Sequence, residues 1–137
     1  MASIYKEVRA ALETQVSIIS GIPPIAYDNF NYVPTTGVTY ITTYFNPFYR
    51  RPAVMGINPK QLYRGSLNIL VYAPYGEGAG PAEDVANLLL EGFEATTDLP
   101  LVGVTGYVSI RSAERRGGDT DGSWYTSPVD IEWYSYY

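Results

Sequence analysis

The chain has 137 residues, a formal charge of −5, and neither cysteine nor histidine. That length suits one domain, large enough to bury a core without a disulfide or metal. The missing residue types exclude disulfides, thiolate metal sites, cysteine nucleophiles, the Ser-His-Asp triad and nearly every zinc site, and 9 basic against 14 acidic residues argue against tight nucleic-acid binding.

Residues 3–20 read as a helix. Ser3 can cap it, Glu7 lies near the positive end of its dipole, and Ile4, Val8, Ala11, Leu12, Gln15, Val16 and Ile19 mostly follow the rhythm of one apolar face. Gly21 and Pro23-Pro24 stop it. A short strand is expected around Ile25–Asp28, then a turn at Pro34-Thr35-Thr36-Gly37. Val38–Phe45 is β-branched and aromatic on both faces, which predicts a strand covered on both sides. Asn46–Gln61 carries Pro47, Pro52, Gly56 and Pro59 and reads as a long connection. It is too apolar for a solvated loop, holding Phe48, Tyr49, Arg50, Arg51, Val54, Met55 and Ile57, so a partner is expected to order it.

Tyr63–Ala73 alternates as a strand, with Tyr63, Leu67, Ile69, Val71 and Ala73 on one face and Arg64, Ser66 and Asn68 on the other. A Gly-rich stretch, Pro74–Gly80, leads to a second helix. Pro81 suits its first position, Val85, Leu88, Leu89 and Phe93 form its apolar face, and Gly92 ends it. Two closing strands alternate through Val102, Val104, Val108 and Ile110, and through Tyr125, Val129, Ile131 and Trp133. They are joined by a polar turn, Arg116–Gly122, as an antiparallel hairpin. The expected fold is α+β: a mainly antiparallel mixed sheet with two helices packed on one face, in the order α-β-β-β-α-β-β.

Few of these residues suggest chemistry. Gly76-Glu77-Gly78-Ala79-Gly80-Pro81 sits where a phosphate loop would. Pro81 offers no N–H, however, and Glu77, Glu83 and Asp84 would repel an anion. Asp119-Thr120-Asp121-Gly122 resembles the start of a calcium loop, but the sixth position is Trp124 where a glycine is needed. No spacing singles out a catalytic carboxylate pair, so neither an enzyme nor a cofactor is expected. Tyr125, Trp133, Tyr134, Tyr136 and Tyr137 are candidates for stacking on sugars.

The composition fits an interface protein instead. There are 14 Tyr against 4 Phe, and only 17% of residues are charged. Tyr buries a ring while keeping a polar tip, and Arg with Tyr dominates binding hot spots. A folded chain of this mass exposes ~7,100 Å². Two standard contacts of ~800 Å² each, as in a closed ring, would cover a little under a quarter of it.

The sequence resembles the lambda-type tail terminator family of long-tailed phages over nearly its whole length. The resemblance runs through Ile4-Tyr5-Lys6-Glu7-Val8-Arg9-Ala10-Ala11-Leu12, Tyr63-Arg64-Gly65 and Val71-Tyr72-Ala73-Pro74. It is most specific at Gly76-Glu77-Gly78-Ala79-Gly80-Pro81-Ala82-Glu83, and ends with Gly122-Ser123-Trp124-Tyr125 and Pro128-Val129-Asp130-Ile131. It implies a structural virion protein, made in the bacterial cytoplasm and placed at the junction of tail and neck. There, a homo-hexameric ring would cap the head-proximal end of the tail tube, stop its polymerisation and present a surface to the head-completion or connector protein. DNA would pass through without specific binding; no membrane is involved. The resemblance supplies no catalytic residues. Ring and tube contacts are expected on Asn46–Gln61 and Arg111–Gly122, at Phe48, Tyr49, Arg50, Arg51, Met55, Ile57, Arg115 and Arg116. The alternatives are another neck or tail-completion adaptor, and a carbohydrate-binding module.

Overall fold

A spacing of four places Ile4, Val8, Leu12 and Val16 on one stripe of α1 (Ile4–Ser17), and all four are buried. The second helix, α2 (Gly80–Gly92), buries Ala82, Ala86 and Leu89, and Phe93 just beyond it. Its buried stripe is thus centred on small residues, while the expected Val85 and Leu88 are only half-buried. Alanine lets a helix axis come close to a sheet, and the larger side chains then flank the contact. The computed structural model describes residues 4–27, 32–34, 37–53, 60–76, 78, 80–95 and 97–137, apart from the Asp121 side chain. Among the predicted features, Ser3, Asp28, Thr35, Thr36, Val54, Met55, Gly56, Ile57, Pro59, Glu77 and Ala79 lie outside the described residues.

The strands are β1 (Ile25–Ala26), β2 (Tyr40–Pro52), β3 (Gln61–Pro74), β4 (Asp98–Pro100), β5 (Tyr107–Arg115), β6 (Asp119–Asp121) and β7 (Trp124–Tyr136). They form one sheet in the order β1-β2-β3-β7-β5-β4, with β6 also on β7. The β1–β2 pair is parallel and the others are antiparallel. Period-2 alternation turns Leu67, Ile69, Val71 and Ala73 of β3, Val129, Ile131 and Trp133 of β7, and Val108 and Ile110 of β5 toward both helices. The architecture is the expected α+β sheet with two helices on one face, with β4 and β6 added as short strands.

Helix α1 touches both β2 and β4, which lie at opposite margins of the five-strand run. Four strand spacings of a flat sheet would separate them by about 19 Å. The sheet therefore curls around α1. On one flank the Arg9 guanidinium lies 5.1 Å above the Phe45 ring of β2. On the other, Glu7 Oε2 accepts a hydrogen bond of 2.8 Å from the Gly103 N–H, in the turn after β4.

Trp133 anchors the covered face. It is fully buried and stacks on Phe45 with centroids 5.3 Å apart and planes 7° off parallel. The neighbouring strand position is Gly65, where a Cβ would lie 2.6 Å from the indole and 2.7 Å from the Asn46 carbonyl oxygen. Only glycine fits there.

Three expectations are corrected. First, Asn46–Gln61 is not a long connection: β2 continues to Pro52 and β3 begins at Gln61, so a hairpin fills most of that stretch. Proline is tolerated because β1 covers only Ile41 and Thr42 of β2, leaving Pro47 and Pro52 on an outer strand margin. A bulge between Pro47 and Tyr49 re-aims the strand. Second, the coverage of β2 on both faces holds only for Tyr40–Thr43, where all four residues are buried and Tyr32 and Tyr72 pack on Tyr40; from Tyr44 onward the outer face is exposed, and among the described residues no helix lies over it. Third, Val102 and Val104 precede β5 in the turn rather than forming its start. Two glycines, Gly103 and Gly106, break the alternation there; Gly106 has φ 136°, which favours glycine.

Candidate interaction surface

The open face of the sheet carries rings at one end and charges along its middle. At the β3 C-terminal end, Tyr40 stacks on Tyr72 with centroids 4.8 Å apart and planes 3° off parallel, and Trp124 meets Tyr40 edge-on at 5.2 Å. These rings spend their faces on each other. Further along, Glu132 of β7 holds Arg64 of β3 at 3.6 Å and Arg111 of β5 at 3.5 Å, a carboxylate clasped from both adjacent strands. Arg116 pairs with Asp130. Tyr27, beside α1, has its phenol pKa raised, first by burial and then by the nearby Glu13 carboxylate.

The predicted contact residues fall into two separate places. Phe48, Tyr49, Arg50 and Arg51 lie together on the far half of β2. Phe48 is exposed at the bulge, and Tyr49 is gripped by two guanidiniums: Arg51 lies 4.1 Å and Arg64 5.8 Å from its ring centroid. Arg64 Nη1 also donates to the Tyr49 hydroxyl at 3.2 Å. Arg50 is exposed. Met55 and Ile57, as noted, lie outside the described residues. Arg115 and Arg116 end β5 and the segment beyond it, where Arg115 pairs with Glu83 of α2 at 3.5 Å. Arg50 is opposite Tyr63 on β3, while Arg115 is opposite Val129 and through it Ile69. Six residues of strand, about 20 Å, separate the two pairs, so they do not form one patch.

Two other candidates lose their geometry. Asp119 is opposite Thr126, four residues or about 13 Å along β7 from Asp130, which is too far for one calcium ion. Trp133, a candidate for sugar stacking, is buried under the helices. Of the remaining rings, Tyr134 and Tyr136 meet at 80° and present no shared plane.

A family profile described as phage tail terminator protein matches residues 7–133. The chain belongs to the phage tail terminator family. The family is structural, and its members serve in the phage tail and its joining to the head. A solved structure is similar over 99% of this chain and 97% of its own, with a TM-score of 0.77 and 22% identity, a likeness of fold. A comparison with curated proteins finds no significant match. Among the described residues, no helix is long and apolar enough to cross a membrane.

In this terminator fold, the flanks of α1 are surfaces that sequence reasoning missed. A groove of about 350 Å³ between α1 and β2 is lined by Tyr5, Lys6, Arg9, Phe45 and Pro47. Another of about 240 Å³ between α1 and β4 includes Glu7, Ala10, Leu99, Pro100 and Val102. Val102 is 94% exposed. The available signal was the run Leu101-Val102-Gly103-Val104-Thr105-Gly106, whose two glycines mark a turn rather than a strand.

Proposed function

We propose that the chain forms a ring, hexameric by the family resemblance, on the head-proximal end of the finished tail tube. The ring stops further addition of tube protein and offers its outer surface to the head-completion or connector protein. The observation that carries this reading is the family match across residues 7–133, nearly the whole chain. The role is mechanical and requires no catalysis. The protein is made in the host cytoplasm and ends in the virion at the tail-neck junction, where DNA slides through the ring. Internal pairing of Arg64, Arg111, Arg115 and Arg116 with carboxylates suits such passage, because a strongly basic lumen would hold DNA by counterion release.

In this reading the far half of β2, with Phe48, Tyr49, Arg50 and Arg51, reaches toward the tube or the adjacent subunit, and Met55 and Ile57, later in the sequence, are expected to join the same contact. The Arg111–Gly122 segment, with Arg115 and Arg116, supplies a second contact. Reversing the charges of Arg50 and Arg51 to glutamate is expected to abolish capping while the melting temperature stays near that of the unaltered chain; surviving capping removes this placement.

The deciding experiment is a nonsense codon early in the gene, with the lysate viewed by electron microscopy. Overlong, headless tail tubes are expected. Normal-length tails beside unjoined heads would make the protein a neck adaptor, and intact infectious virions would overturn an assembly role.

A further inference from the structure

Adjacent residues of α1 point to opposite flanks. Lys6 lines the groove against β2, and Glu7 lines the groove against β4. The helical angle explains this: successive side chains are about 100° apart, and with Ile4 and Val8 turned inward, residues 6 and 7 fall on either side of the outer surface.

The two flanks differ in shape as well as charge. On the β4 side, the turn after β4 thrusts Val102 into solvent at 94% exposure, next to Pro100. The Glu7 carboxylate stands at the foot of this knob, held by the Gly103 N–H at 2.8 Å. On the β2 side is a groove of about 350 Å³ whose walls are Tyr5, Phe45 and Pro47, with exposed Lys6 and half-buried Arg9 at its rim. One flank thus carries an apolar projection with a fixed anion, standing at the edge of the smaller groove of about 240 Å³; the other carries a larger apolar recess with cations.

We infer that these flanks fit one another between copies: the Val102 turn of one subunit enters the Tyr5/Phe45/Pro47 groove of the next, and Glu7 of the first faces Lys6 of the second. This rests on the ring reading and assigns its subunit contact to α1, leaving the β2–β3 hairpin free to meet the tube. The occupant is a second copy because projection and recess are complementary in shape and charge and lie on opposite flanks of one helix. Such a head-to-tail contact uses two different patches, so each subunit can join two neighbours and the chain of contacts can close. Burying an otherwise exposed valine and filling an apolar groove supply the driving force, and the ion pair sets the direction.

The chain has no cysteine, so introduced thiols report alone. The full-length protein would carry Val102→Cys, Pro47→Cys, or both. Each would be treated with a short bismaleimide at high concentration in solution, and in tails from cells where the variant complements the nonsense allele. The double variant is expected to give a ladder of multimers ending at the ring size. Either single variant alone is expected to give monomer, and the two mixed to give dimers but nothing longer. Dimers from one single variant alone, or no ladder in either preparation, overturn the contact. Val102→Asp, at a fully solvated position, is expected to raise the concentration needed for ring formation by roughly tenfold or more with an unchanged melting temperature; unchanged assembly also overturns it. The ring-capping reading is tested separately by the nonsense lysate. Normal virions there with a crosslinked ladder would sink capping and keep the contact, whereas overlong tails there with no ladder would do the reverse.

Discussion

The two faces of the sheet are built by different physics. The face under α1 and α2 is almost wholly apolar: Leu67, Ile69, Val71, Val129, Ile131 and Trp133 are each at most 1% exposed. Among the described residues the other face has no helix, and carries stacked tyrosines at one end and the Arg64–Glu132–Arg111 clasp in the middle. Burial of apolar area supplies most folding energy, whereas partly exposed ion pairs contribute little. The comparison teaches that stability is concentrated on one side, leaving the other side, the margins and the α1 flanks open to vary with the partners they meet.

The strongest way to test that division is to damage the covered face. Trp133→Ala should cost about 3–5 kcal/mol, because it empties the space between Phe45 and the Gly65 backbone. Denaturant unfolding measures it, and a loss under about 1 kcal/mol would show that the core does not depend on this ring. On the open face, Tyr72→Leu keeps much of the apolar contact but removes the stack on Tyr40. It should cost about 1–2 kcal/mol in the same assay. Glu132→Gln releases two arginines, yet each pair is partly solvated, so the expected loss is about 0.5–1 kcal/mol and should shrink at high salt. A larger, salt-insensitive loss would mean that the clasp is more than a surface pair.

The smallest expected effect is a pH dependence at Tyr27. Its folded-state pKa lies above the ordinary tyrosine value of about 10, chiefly through burial and then through Glu13. The folded chain therefore holds this proton at a pH where the unfolded chain has lost it. Stability contributed by the neutral phenol is complete below about pH 10 and falls as the pH rises past it. Tyr27→Phe should flatten the alkaline limb of stability against pH and leave neutral stability nearly unchanged; an identical alkaline limb would remove the effect.

The covered face was the legible one. Its alternation in Tyr63–Ala73 and Val129–Trp133, and the spacing of four in α1, follow from local geometry, so the strands, the helices and their layering could be read directly. The prolines of β2 misled because a proline forbids only a central strand; the missing neighbour beyond Thr42 is a property of the whole sheet. The valines at 102 and 104 misled in the same way, since apolar alternation looks alike whether it faces a core or solvent. The candidate contacts on the far half of β2 stood out by their Arg and aromatic content, but their 20 Å separation from Arg115 did not.

Composition and periodicity by themselves determined a Tyr-rich α+β domain without thiol or imidazole chemistry, because those are properties of single residues and their neighbours along the chain. The curl of the sheet around α1 was decided only in three dimensions. So were the pairing of Glu132 with arginines from two strands and the opposite grooves flanked by Lys6 and Glu7. Each depends on segments far apart in sequence meeting at side-chain distance, and on the margin at which a sheet stops adding strands.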